Sequence, residues 1–202
     1  MSKGRLIVIS GPSGAGKGTI CEELFKDENV VFSVSMTTRA PREGEVDGRE
    51  YFFVTEDEFL ANIENGGFLE HAQTFGNYYG TPKEAVLSQM AEGYDVILDI
   101  DTKGARQVRE IYPESVLIFV LPPSMEELKR RITCRGSENE EDMKIRLGEA
   151  VHEMSLAENY DYCIVNDDLD EAVAAVKAII KAEHYRYNED TDTMIKRYKE
   201  EE

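Results

Sequence analysis

A short apolar run that feeds a glycine-rich turn carries the most specific chemistry in the chain. Residues 6–19 read LIVISGPSGAGKGT, a buried strand, a loop and the start of a helix. Gly11, Pro12, Ser13, Gly14, Ala15 and Gly16 form the turn. Its glycines let successive backbone N–H groups aim at one point that no side chain blocks, a nest for phosphate oxygens. Lys17 brings a positive charge to β- and γ-phosphates, and the following helix directs its N-terminal dipole to the same place. One position departs from the G-x-x-x-x-G-K-[ST] pattern. Gly18 stands where a hydroxyl usually meets Mg²⁺, and Thr19 follows one residue later. That leaves two routes to the metal, through Thr19 or through water.

A second cationic cluster lies at residues 35–51, SMTTRAPREGEVDGREY. Arg39 and Arg42 flank a proline that stiffens the loop, and guanidinium forks suit phosphate oxygens better than lysine does. Alone, the segment reads equally well as a solvated basic loop; behind a phosphate loop it is expected to be a second phosphate site. Asp99 ends the apolar run Val96-Ile97-Leu98, a place where phosphate-loop enzymes hold a carboxylate toward the metal, often through water. Asp101 directly precedes a helical stretch and can equally cap it. Arg131, Arg135 and Arg146 lie among Glu138, Glu140 and Glu141, so the segment alone reads as an ion-paired helical surface. Asn166 follows the last apolar run, where a nucleotide contact and a turn or cap explain it about equally well.

The elements that must position these groups alternate along the chain. Strands are expected at residues 6–10, 32–35, 95–100, 115–120 and 161–165, and helices at 17–26, 103–111, 125–133, 140–158 and 169–185. This is the order of an α/β fold with a parallel sheet core. Thr55 with Glu58, Thr81 with Glu84 and Ser124 with Glu127 have capping-box spacing, and Pro82 suits a first helical position. Between Ser35 and Met90, glycines, aromatics and short alternating runs predict a β-rich insert ending in a helix. A second insertion, from about Lys129 to Ala157, is expected to be helical and heavily charged, and the tail from Arg186 is expected to fray.

Composition narrows the partners. The 202 residues suffice for one sizeable core, and 23 basic against 41 acidic residues give a net charge of −18. Such a field repels polyanions, so neither nucleic acid nor an anionic membrane is expected as the main partner. Cys21, Cys134 and Cys163 form no C-x-x-C pair, which points to reduced thiols and a cytoplasmic location. His71, His152 and His184 lack metal-ligand spacing. The N-terminal apolar run is too short for a signal-peptide core or a membrane span.

Taken in order, these segments resemble the guanylate kinases. The match comprises the phosphate loop, the S-M-T-T-R-x-P-R-x-G-E-x-x-G-x-x-Y segment, the Glu70 region, Tyr78-Tyr79-Gly80-Thr81, Leu98-Asp99-Ile100-Asp101 and Arg131 through Gly136. It runs from about Arg5 to Glu183. The resemblance implies a three-layer P-loop fold with a β-rich insert for the nucleoside monophosphate and a helical lid. It divides the chain into a kinase domain at 1–185 (core 1–34, 91–125 and 160–185; GMP-binding insert 35–90; lid 126–159) and a charged tail at 186–202. It implies ATP and GMP as substrates, dGMP as a further acceptor, and Mg²⁺ carried with ATP. ATP is expected on residues 11–19 with Asn166, and the metal on Thr19 and Asp99. Arg39, Arg42, Tyr51 and Tyr79 would bind the GMP phosphate, and Ser35, Glu70, Thr81 and Asp101 would read guanine. Lys17 with the lid arginines Arg131, Arg135 and Arg146 would stabilise the transferring phosphoryl group. Two rivals remain, a catalytically inactive binding module of the same fold and a related kinase of another small phosphate. Whether the chain is a monomer or a homo-oligomer is left open.

Overall fold

The computed structural model describes residues 3–134, 140–187 and 189–201. Its core is a five-stranded sheet in the order β2-β7-β1-β8-β9, every neighbouring pair parallel. The strands are β1 (Leu6–Ser10), β2 (Val30–Phe32), β7 (Asp95–Asp99), β8 (Val116–Leu121) and β9 (Tyr162–Val165). β1 lies at the centre and all five of its residues are buried. Alternation along β1 builds the layers. Ile7 and Ile9 pack with Ile20 and Leu24 of α1 (Lys17–Leu24) and with Val173 and Val176 of α7 (Leu169–Glu183). Leu6 and Val8 face the other way, against Val86 and Met90 of α3 (Lys83–Ala91) and Val108 of α4 (Thr102–Ile111). A parallel sheet needs both faces covered in this way, which explains its near-continuous apolar strands. Register then does the positioning: Ile9 lies beside Asp99 on one side and Ile118 on the other, so the loop after β1 opens next to the end of β7.

A second sheet, in the order β4-β3-β6-β5, forms the insert from β3 (Met36–Thr37), β4 (Phe52–Phe53), β5 (Phe68–Thr74) and β6 (Asn77–Pro82). Beside it lies α2 (Glu56–Glu64), whose start carries the expected capping box of Thr55 and Glu58. Phe59 of α2 stacks between Phe68 and Tyr78, at 4.4 and 5.4 Å. The side-chain amide of Gln107 on α4 bonds both the N–H and the C=O of His71, each at 3.1 Å, and so fastens β5 to the core.

Several boundaries differ from expectation. The strand expected at 32–35 ends at Phe32, because pairing with β7 stops at Phe32–Ile97 and the chain crosses to the second sheet. The Thr81–Glu84 box does not form: Pro82 occupies the cap with no side-chain bond, and the Thr81 hydroxyl donates to Glu70 instead. At Ser124 half a box forms, since Glu127 turns its carboxylate to Arg130 and Arg131. The helices of the second insertion are α5 (Met125–Cys134) and α6 (Glu140–Ser155), and α6 gives way to a 3₁₀ turn, Leu156–Asn159, before the expected end at 158. Leu128, Ile132 and Ala150 give this pair its own small core. Where fraying is expected after residue 186, the chain forms a further helix, α8 (Glu189–Glu200). Among the described residues no helix is long and apolar enough to cross a membrane.

Candidate active site

At the carboxyl edge of the core sheet the loop after β1 adopts the backbone that its glycines permit. Gly11, Gly14 and Gly16 have φ of 143°, 89° and 93°, a region L side chains rarely enter. Space is equally limiting: a Cβ on Gly11 would lie 2.3 Å from the Val120 carbonyl oxygen, and one on Gly16 would lie 2.2 Å from Asn166 Nδ2. Asn166 is buried and donates to the Ala15 carbonyl at 2.8 Å, so it braces the loop from behind. The cap of α7 belongs instead to Asp168, whose side chain accepts from Glu171 N. Arg131 spans the same corner, held by Glu127 at 2.7 Å while donating to the Asn166 carbonyl at 3.1 Å.

Lys17 leads α1 and folds over the loop, donating to the carbonyls of Gly11 at 2.6 Å and Pro12 at 3.3 Å. It borders a cavity of about 390 Å³ lined by Gly11, Ser13, Gly14, Gly16 and Gly18, by Asp99, Ile100 and Asp101 after β7, and by Glu153 of α6. Burial raises the Asp99 carboxyl above the usual range, opposed by Lys17. Beneath it the Cys21 thiol is pushed up to about 12, by burial first and then by Asp99, so it stays a neutral packing group. Thr19 is exposed and is not among the residues lining the cavity. Asp99 shares that lining with the carboxylates of Asp101 and Glu153. Gly18 sets only a backbone beside it, its Cβ position 4.0 Å from Asp99 Oδ2, which leaves room for water. Among the described residues no group of three or more His, Cys, Asp or Glu could hold a metal ion by itself.

The insert contributes two clusters. In the first, Thr81 donates to Glu70 Oε1 at 2.6 Å, and Asp101 accepts from Gly104 N at 2.8 Å as the cap of α4. A Cβ on Gly104 would lie 3.3 Å from Glu70 Oε2 and 3.5 Å from Asp101 Oδ1, so this glycine lets two carboxylates approach one helix start. Burial raises the Glu70 carboxyl; the Thr81 bonds pull it down, and Asp101 pushes it further up. In the second, Arg39 pairs with Glu45 at 2.8 Å, donates to the Ala40 carbonyl, and lies over the rings of Tyr51 and Phe53 at 5.4 and 5.8 Å. Tyr51 and Tyr79 meet edge to face at 6.0 Å. Glu45 also accepts from Arg42 N at 2.7 Å, while the rest of Arg42 is exposed. Ser35 is half-buried and its carbonyl accepts from Phe52 N.

Arg146, on α6, is exposed. Arg135 falls outside the described residues. Two acids belong to these surroundings without any motif that marks them, Glu153 and Glu45. Glu153 follows Arg146 by seven residues, a spacing that puts both on one helix face. Its carboxyl is raised by burial first, with Lys17 opposing. Glu45 lies three residues after Arg42, close enough to close the turn on that backbone N–H.

Comparison with known proteins agrees with this geometry. A guanylate kinase family model matches residues 3–183. The chain is 51% identical over 195 residues to a guanylate kinase of Clostridium tetani, covering 96% of this chain and 94% of the relative. It is 53% identical over 193 residues to one from Clostridium acetobutylicum, covering 96% and 92%. The crystal structure of guanylate kinase from Anaplasma phagocytophilum superposes with a TM-score of 0.68 at 40% identity, covering 90% of this chain and 87% of that one. With the family model spanning nearly the whole chain, and full-length relatives at half identity, the chain belongs to the guanylate kinase family.

Proposed function

We propose that the chain transfers the γ-phosphoryl of ATP to GMP, giving ADP and GDP, with the donor on the glycine loop and the acceptor in the insert. The observation that carries the acceptor's identity is the triad Glu70–Thr81–Asp101. Guanine presents N1–H and a 2-amino group as donors and O6 as an acceptor, which matches two carboxylates and a hydroxyl, provided that Thr81 turns its one proton from Glu70 to O6 when the base binds. Adenine offers no N1 proton or 2-amino group, so AMP would leave a desolvated carboxylate unpaired. A site built to hydrogen-bond its substrate rejects such an analogue by roughly 10⁴-fold or more.

Arg39, Arg42, Tyr51 and Tyr79 hold the acceptor phosphate, with Glu45 and the Tyr51 ring keeping the Arg39 fork in place. Lys17 exchanges its two neutral carbonyl partners for the donor's phosphate oxygens, a stronger charge-assisted pairing. Asn166 serves the donor by fixing Ala15. Asp99 would hold Mg²⁺ through water, and the bound ion supplies neutralisation of the β- and γ-phosphate charge. No general base is needed, since the attacking phosphate oxygen is already ionised at neutral pH. Arg131, Arg135 and Arg146 close over the transferring group and exclude water.

An ADP-release assay with GMP, dGMP, AMP, UMP and dTMP tests the assignment. GMP should lead AMP by about four orders of magnitude in kcat/KM. ADP release with no acceptor, or with AMP as well as with GMP, would overturn it.

A further inference from the structure

A second cavity, of about 690 Å³, lies between α4 and the end of α6 and shares no lining residue with the cavity beside Lys17. Its volume is that of a small-molecule site, roughly 300–1,000 Å³. Leu117 of β8, Leu156 and Tyr160 give it apolar surface, and Lys103, Arg106 and Arg109 of α4 give it charge.

The charges are what set this cavity apart. Its lining places those three cations against one carboxylate, Glu110, whereas beside Lys17 one cation faces Asp99, Asp101 and Glu153. In a chain of net charge −18 such a surplus of positive charge is local and uncommon. The three cations differ in how firmly they are held. Arg109 is tied to Asp161 and to the Pro113 carbonyl. Arg106 has only a long, exposed contact with Glu110 at 3.8 Å. Among the described residues the Lys103 ammonium has no hydrogen-bond or ion-pair partner. Lys103 and Arg106, three residues apart, stand on one face of α4 and can meet one acid group together. A bare inorganic anion would leave the leucines wet, and an uncharged apolar body would leave the cations unanswered. An aromatic ring system with one acid group answers both.

The wall between the two cavities is shared. On α6, His152 lines the second cavity and Glu153 the first; at the start of α4, Lys103 lines the second and Asp101 the first. Tyr160 lines the second cavity, and its ring meets Phe119 edge to face at 4.9 Å. Its hydroxyl is buried beside that of Ser10, the last residue before the glycine loop, and feels the charges of Asp101 and Glu153. A body resting on this ring therefore bears on the base of the loop.

We propose that the cavity between α4 and α6 is a second ligand site, for a planar organic anion whose ring rests on Leu117, Leu156 and Tyr160 and whose acid group meets Lys103 and Arg106, and that Tyr160 couples it to the glycine loop.

Two fluorescent probes test this. 8-Anilinonaphthalene-1-sulfonate has the required acid group, and N-phenyl-1-naphthylamine is the same ring system without it. Titrated into the full chain, the sulfonate should fill one site about tenfold more tightly than the uncharged probe. Lys103→Glu/Arg106→Glu should erase that advantage and leave the uncharged probe unaffected. Both positions are exposed, and an acid in the first turn suits the helix dipole, so the fold is kept. Saturating ATP should shift the Kd of the sulfonate about fivefold, to a plateau, as coupled sites require. Tyr160→Phe keeps the ring and removes the hydroxyl, so it should abolish the shift and keep the site. Displacement by ATP without a plateau would put the probe beside Lys17 and overturn the proposal. Equal affinity for the two probes, or a double variant that binds the sulfonate as tightly as the unmodified chain, would overturn the choice of an anion. No shift with ATP, or the same shift in Tyr160→Phe, would overturn the coupling.

Discussion

The two regions proposed to bind phosphate solve the same electrostatic problem with different materials. Around Lys17 the work is done by backbone: three glycines at positive φ, a strand register that puts Asp99 alongside, and a lysine resting on neutral carbonyls. Around Arg39 it is done by side chains, with Glu45 on the guanidinium, two aromatic rings beneath it, and Glu70 held by Thr81 nearby. The first region tolerates almost no added atoms but depends on a single charge. The second shares its charge among several groups, so one substitution there costs less and acts mainly on acceptor affinity and choice.

If that contrast holds, Lys17→Ala has the largest effect. It removes the mobile charge and little core volume, so turnover should fall by about 10²-fold or more with an unchanged Tm. Steady-state rates and a thermal melt check both halves, and near-normal turnover would break the comparison at its stronger end. Gly16→Ala comes next. The new methyl meets Asn166 Nδ2 at a φ of 93°, so the loop or its brace must move. Strain at such a position costs about 1–3 kcal/mol, which should appear as a lowered Tm together with a raised KM for ATP and a nearly unchanged KM for GMP.

Charge titration probes the second region. The Glu70 carboxyl is raised chiefly by burial, so it protonates above the ordinary glutamate range as pH falls. Protonated, it no longer accepts from two guanine donors, and the GMP-to-AMP ratio of kcat/KM should decline toward low pH. Both acceptors carry the same phosphate, so its own ionisation cancels in that ratio. The sign for stability is opposite. A folded-state pKa above the unfolded one makes the Glu70 contribution to stability greatest at low pH, and that contribution is lost as pH rises through the folded value. Glu45→Gln should have the smallest effect. It loosens one holder of Arg39 but leaves the rings and the Ala40 carbonyl, so KM for GMP should rise about two- to five-fold with kcat unchanged.

The same contrast explains how much the sequence discloses. Loop chemistry built from glycine and one lysine is local, so residues 11–17 and the strand before them are legible from spacing alone. The layers follow from alternation in β1 and from the amphipathic helices around it. Contacts between distant side chains are not local. Thr81 looks like a helix cap because Glu84 follows it, yet Glu70, eleven residues earlier, takes its hydroxyl. Asn166 gives no sign in the sequence that its amide will reach back to Ala15 across 151 positions. The end of β2 is misplaced for a related reason, since only tertiary pairing decides that Phe32 joins one sheet and Met36 the other. α8 is missed because its charge hides the stripe of Met194, Ile195 and Tyr198.

The account stands most directly on base choice. The decisive quantity is the GMP-to-AMP ratio of kcat/KM in the unmodified chain and in Glu70→Gln. The amide lacks the charge and sets an NH₂ group where guanine also donates. A lost hydrogen bond to a charged group, about 1.5–3 kcal/mol, should lower kcat/KM for GMP roughly 10–100-fold while AMP falls far less, so the ratio collapses by a similar factor. An unchanged ratio would mean that Glu70 only holds Thr81 and that guanine is not read there.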